Sequence, residues 1–306
     1  MIRLILLLLL VLPAIPRAET DVFVEVLGIA QDAGYPQTNC YESHCMRAWE
    51  DKSLRRLASS IAVVDTAAKA KYLFDATPDM REQLFRLQQS APDSTFTLGG
   101  VFLTHAHMGH YTGLMHFGRE GVGAKGIPVY AMPIMTEYLQ NNGPWELLVR
   151  LQNIQLMPLT DQHPVKLNER LSVTPIAVPH RPEYSETVGY RIDGPNKSAV
   201  FIPDIDKWES WQTDIRDIIR SVDYALLDAT FFADGELPGR DMSKIKHPFV
   251  AESMDLFADL SAEEKSRVIF IHMNHTNPLL IDGSAEQEEV TRQGFSVAYE
   301  GMRLPL

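Results

Sequence analysis

The chain has 306 residues, 45% of them hydrophobic, which is enough to bury one large core or two modest ones, so one enzyme-sized domain is expected. The formal net charge is −12, and the longest basic cluster is KSLRR at 52–56, which reads as a solvated helix face. A binder of phosphate backbones needs a basic stripe, so nucleic acid is excluded as the expected partner and a small molecule is favoured.

Residues 1–18 open with Met1-Ile2-Arg3, continue through an apolar run from Leu4 to Leu12 and close with Pro13, Pro16, Arg17 and Ala18. This is the layout of a signal peptide, short for a membrane span of about 20 residues. The expectation is a periplasmic or secreted protein with its folded domain at 19–306, no stable membrane partner after cleavage, and an uncleaved anchor as the lesser alternative. Export would permit Cys40 and Cys45 in NCYESHC to oxidise to each other. The rival is a structural zinc on Cys40, His44 and Cys45, which lacks a visible fourth ligand nearby.

Apolar, β-branched runs predict strands at 22–29, 60–65, 72–75, 100–104 and 127–132, then at 171–178, 187–192, 198–202, 223–227, 267–271 and 295–300. Helical patterns alternate with them at 78–89, 109–118, 134–141, 207–220, 247–259 and 285–292. Polar residues sit where these strands stop. His105 follows VFLT, His180 follows IAVP, Asp204 follows VFIP and His272 follows VIFI. A lone histidine of this kind is ordinarily a satisfied core residue, but four possible metal ligands ending four strands make that reading poor. Strand ends are rigid supports of the kind a metal site needs. His105 and His107, two apart in an extended stretch, would point the same way, and His110 would follow from the first turn of the next helix. Imidazoles with a carboxylate able to bridge suit zinc, with iron or manganese as alternatives.

The run LTHAHMGHYTGL at 103–114, followed by isolated His, Asp and His at later strand ends, resembles the metallo-β-lactamase superfamily. GIAQDAGYPQTNC at 28–40, LLDATFF at 226–232 and IHMNHTNPLL at 271–280 resemble its coenzyme PQQ synthesis protein B branch. The resemblance implies an α/β four-layer sandwich, two mixed β-sheets between helices, with the metal site at one edge. It places His105, His107 and His180 at a first metal position, His110 and His272 at a second, and Asp204 at both. Asp75 would support the histidine loop as a hydrogen-bond partner. Gly109 stands where most binuclear members have an aspartate, which implies one tight site and a weaker second one, with His275 as a residue that could move in to help.

Such a site lowers the pKa of bound water toward about 7, so hydrolysis of a small ester, phosphodiester or lactone-type substrate is the expected activity. His275 is the first candidate to protonate the leaving group, with hydrogen-bonding support of the site as its alternative role; Asp206, Tyr184 and His247 are further candidates, His247 with structural duty expected. Asp32 and Tyr35 are candidates for the pocket wall, and Asp228 for its border. The resemblance also leaves open an iron- and oxygen-dependent oxidoreductase and a metal-dependent carrier without turnover.

Overall fold

The apolar runs become two seven-stranded sheets in the computed structural model, which describes residues 21–91, 93 and 95–306. The expected leader lies outside the described residues. The first sheet contains β1 (Val22–Gly28), β2 (Ser60–Asp65), β3 (Ala70–Phe74), β4 (Thr97–Phe102), β5 (Ile127–Ala131) and β6 (Ile154–Pro158). The second contains β7 (Val165–Lys166), β8 (Ser172–Val178), β9 (Thr187–Asp193), β10 (Ser198–Ile202), β11 (Tyr224–Asp228), β12 (Val268–Ile271) and β13 (Ser296–Val297). A last strand, β14 (Arg303–Pro305), returns to pair with β1 in the first sheet. Each sheet is antiparallel on one side and parallel on the other, the change falling between β3 and β4 in the first and between β10 and β11 in the second. The parallel strands need both faces covered, which is why they read as continuous apolar runs.

The core lies between the sheets, where Phe74 and Phe102 of the first meet Tyr190 of the second at ring centroids of 5.4 and 5.5 Å. The outer face of the first sheet is covered by α2 (Met80–Ser90), α4 (Pro133–Asn141) and α5 (Trp145–Arg150), through Met80, Leu87, Met135, Leu139 and Leu148. Ile215 and Ile219 of α6 (Ile215–Arg220), Val250 and Met254 of α7 (Val250–Leu256), and Val290 of α9 (Ala285–Arg292) belong to the core of the second. This is the expected α/β sandwich of two mixed sheets between helices. Three short helices complete it: α1 (Ser43–Glu50), α3 (Met108–Tyr111) and α8 (Ala262–Ser266).

Two expected helices differ in extent. The one read at 207–220 is a single 3-10 turn at Trp208–Ser210, then an extended Trp211, and resumes only after Asp214 caps Arg216 N. The one read at 247–259 runs only over Val250–Leu256: Pro248 disfavours helical backbone at His247, and Phe249 is an extended N-cap.

What matters for function is where strands stop. β3, β4, β8, β10, β11 and β12 release the chain at the same edge of the sandwich, bringing Asp75, Thr104, His105, His180, Asp204, Asp228 and His272 together. The loop after β1 joins them because Ala30 bridges Ala58, just before β2, and Met273, just after β12, with Gln31 N donating to Met273 O at 2.8 Å.

Candidate metal centre

Asp204 is the hub. Its Oδ2 lies 3.3 Å from His105 Nε2, 3.2 Å from His180 Nε2, and 3.8 Å from both His107 Nδ1 and His110 Nε2. His105, His107, His180 and Asp204 form one group of convergent donors, and Asp32, His110, Asp204 and His272 form a second. All but His107 and Asp32 are buried.

Each imidazole has one nitrogen held and the other aimed inward. Thr104 Oγ1 holds His105 Nδ1 at 2.9 Å, Asp206 holds His180 Nδ1 at 3.2 Å, Asp75 holds His110 Nδ1 at 2.7 Å, and Thr230 Oγ1 holds His272 Nδ1 at 3.1 Å. His107 is reversed, with Nε2 on Glu183 at 3.0 Å and Nδ1 inward. Fixing one ring nitrogen sets the tautomer and orientation of the other, which is how metal-binding histidines are supported. Asp75 also accepts from Thr104 N and Oγ1, so it orders two rings at once.

Left inward are His180 Nε2, His272 Nε2 and Asp204 Oδ1, all buried and without a hydrogen-bond partner. Orphaned buried polar atoms are rare and costly, and a cation in each of the two groups would satisfy the two imidazole nitrogens. The charges agree. Asp204 and Asp32 are held well below the carboxylate range, burial opposing this and the surrounding imidazoles outweighing it. Burial and the neighbouring His110 push His105 well below the ordinary histidine value, toward the neutral ligand form. Asp75 and His272 both have positive φ, 65° and 70°, an unfavourable backbone for such residues that is retained at the site.

Asp32 changes the reading of Gly109. A Cβ built on Gly109 would meet Asp32 Cα at 2.4 Å and Asp32 Cβ and Cγ at 2.7 Å. The space an aspartate would use at 109 is filled by an aspartate from another loop. Asp32 Oδ1 sits 3.1 Å from His110 Nε2 and 3.5 Å from His272 Nε2. Asp32 thus brings to the second group the carboxylate that Gly109 does not supply, so that group is not short of one. His275 is not among these donors.

The model of the beta-lactamase superfamily domain matches residues 70–273, two thirds of the chain and nearly all of this centre. The chain belongs to the metallo-β-lactamase superfamily. Among its relatives, Coenzyme PQQ synthesis protein B of Methylorubrum extorquens (strain PA1) is 27% identical over 311 residues, spanning 92% of this chain and 99% of that protein. The protein of the same name from Klebsiella pneumoniae subsp. pneumoniae is 29% identical, spanning 93% and 98%. A crystal structure of Zn2+-bound PqqB from Methylobacterium extorquens matches with a TM-score of 0.78 at 26% identity, over 93% of this chain and all of that one. A diphosphatase of the PhnP family shares the fold, with a TM-score of 0.62 at 23% identity over 92% and 96%.

Within this superfamily frame, two further histidines are placed differently from expectation. His247 is at the centre: its Nδ1 donates to Asp228 at 2.8 Å and lies 3.2 Å from Asp204 Oδ1, while its Nε2 makes no hydrogen bond to any described residue. Burial disfavours its charge, but Asp228 and Asp204 outweigh it and push it up to about 9. Asp228 is fully engaged, accepting also from Ile205 N, Thr230 N and Thr230 Oγ1. His275 instead lies 5.6 Å from the ring of His44 and groups with Cys40, His44 and Cys45. It is the fourth donor that local sequence could not supply to that cluster. In this structure Cys40 and Cys45 are joined as a disulfide. Tyr184 is exposed against Tyr138, and Asp206 serves His180.

The signal for Asp32 was present only as a polar residue in QDAGYP, since its meeting with His110 depends on the Ala30 bridges. His247 was obscured by Pro248, which suggested a helix start.

Proposed function

We propose that the protein is a metal-dependent hydrolase of a small ester, phosphodiester or lactone-type substrate. The observation that carries this is the inward aim of five imidazole nitrogens, each fixed by a partner on its other nitrogen, onto Asp204 and Asp32. His105, His107, His180 and Asp204 would hold one ion, and Asp32, His110 and His272 with Asp204 the other. The all nitrogen and oxygen donor set suits zinc, iron or manganese, and zinc is favoured because a bound relative carries it. Bound there, a divalent ion supplies Lewis acidity and a nucleophilic water at neutral pH.

The remaining steps belong to the chain. Asp75, Thr104, Asp206, Thr230 and Glu183 keep the rings in register as charge develops on the substrate. Asp228 orients His247, which lines the adjoining cavity, and whose unpartnered Nε2 would hold the proton for the leaving group. His247 takes the role expected of His275.

A second reading, an iron- and oxygen-dependent oxidoreductase, is favoured by the similarity to Coenzyme PQQ synthesis protein B. Metal analysis with a panel of chromogenic esters and phosphodiesters, run with and without oxygen, separates them. Oxygen-independent turnover supports hydrolysis; oxygen consumption supports the second; metal binding with neither supports a carrier. Export is part of the proposal, supported by the apolar run at 4–12 and the disulfide. A mature protein beginning near Glu19 in the periplasm or medium would bear it out, and retention of Met1 in the cytoplasm would end it.

A further inference from the structure

Beside the metal donors lies a cavity of about 440 Å³, within the range of small-molecule sites, and no Asp or Glu is among its described lining residues. Its inner wall is formed by His247, with Phe231 against it at 6.3 Å between rings. Four cations, Arg181, Arg240, Lys244 and Lys246, share the rest of the lining with neutral and apolar residues. Such a concentration is unexpected in a chain of net charge −12, where carboxylates outnumber cations overall.

The cations are incompletely neutralised. Arg181 is 3.5 Å from Glu183, Lys246 is 3.7 Å from Asp206, and Lys244 is 3.2 Å from its helical neighbour Asp241, all with exposed cationic heads. Exposed pairs of this length hold little energy and are readily exchanged for a ligand. The Arg240 guanidinium forms no hydrogen bond or ion pair with any described residue. Arg181 links the cavity to the centre, its Nη2 lying 3.4 Å from His107 Nδ1. A mouth whose lining charges are all positive, beside an apolar wall, raises the local concentration of an oppositely charged substrate, even with the carboxylates of Glu183, Asp206 and Asp241 behind three of its cations.

We infer that this cavity receives a negatively charged group of the substrate, a phosphate or carboxylate carried beside the scissile bond, with Arg240 and Lys246 as its principal contacts. The inference rests on the hydrolase reading and narrows its substrate class to anionic molecules. Guanidinium presents paired donors that match either oxyanion, whereas a neutral ester or lactone would leave these cations unused.

The test is calorimetric binding of phenylphosphonate, benzoate and neutral benzamide to the metal-loaded protein and to the Arg240→Gln/Lys246→Gln variant, with metal content measured in both. The variant should keep its metal and lose about tenfold or more in affinity for an anionic probe, the scale of one or two charge-assisted hydrogen bonds, with benzamide changed less than twofold. Parent binding should also weaken with added salt, and the variant's less steeply. A response to phenylphosphonate alone assigns a phosphate, and one to benzoate alone a carboxylate. Equal affinity of parent and variant for both anions, or an equal loss for benzamide, overturns the inference. Anion binding that is lost in the variant, in a protein that turns over no ester, keeps the cavity and defeats the hydrolase reading. Turnover with unchanged anion affinity does the reverse.

Discussion

Gly109 has no side chain because Asp32 already occupies its place, and the second group of donors is complete only with that residue. Asp32→Asn keeps the shape and removes the charge, so metal bound per chain should fall from two to one by elemental analysis; two retained ions would exclude Asp32 as a ligand. Gly109→Asp in the parent should weaken the second ion, since its Cβ would lie 2.4 Å from Asp32 Cα, whereas Asp32→Gly combined with Gly109→Asp should restore it. His247→Asn should lower kcat by about 10²- to 10⁴-fold, the usual scale of general acid–base catalysis, with metal content unchanged. Loss of metal together with activity would make His247 a support of Asp204 only. The histidines were legible because each follows an apolar strand, a pattern with a physical reason. Asp32 and His247 were not, since nothing near them in sequence announces the strand ends they meet.

The segment between β11 and α7 shows how an element carries a pH dependence. Burial pushes Glu236 up to about 7, partly offset by hydrogen bonds from Thr276 Oγ1 and Phe232 N. The folded protein therefore holds that proton more tightly than the unfolded chain, so the stability it contributes is present below the usual carboxylate range and is lost as pH rises through about 7. Glu236→Gln should raise the melting temperature relative to the parent at pH 8 and much less at pH 5, a difference on the order of 2 kcal/mol. Equal shifts at both pH values would show that the carboxyl does not titrate there. The Cys40–Cys45 bridge closes a short loop at the start of α1, and Cys40→Ser/Cys45→Ser should cost about 2 kcal/mol in denaturant unfolding. An unchanged midpoint, with two free thiols by mass spectrometry, would contradict the bridge. Long apolar strands were readable within a few residues, whereas β6, β7 and β14 were not. β6 is half exposed and ends in proline, and β7 and β14 are two and three residues long. The short helix α8 carries a legible capping box, Ser261 with Glu264, but has no buried residue to give it a period.

For the whole molecule, two sheets, each antiparallel on one side and parallel on the other, end several strands at one edge of the sandwich, and those ends carry the ligand types. The architecture and its superfamily were legible from strand order and the HAHMGH loop. The joining of the loop after β1 to both sheets was not, because Ala30 pairs with Ala58 and Met273, and such bridges exist only once the sheets have packed. The proposed two-metal hydrolytic centre draws its donors from both sheets. It is tested most directly by titrating zinc into chelator-treated protein under anaerobic conditions while following hydrolysis of a chromogenic anionic ester. Turnover should be absent without metal, need no oxygen, and rise to a plateau at two zinc ions per chain. Turnover that persists after metal removal, or that appears only with iron and consumes oxygen, would contradict it.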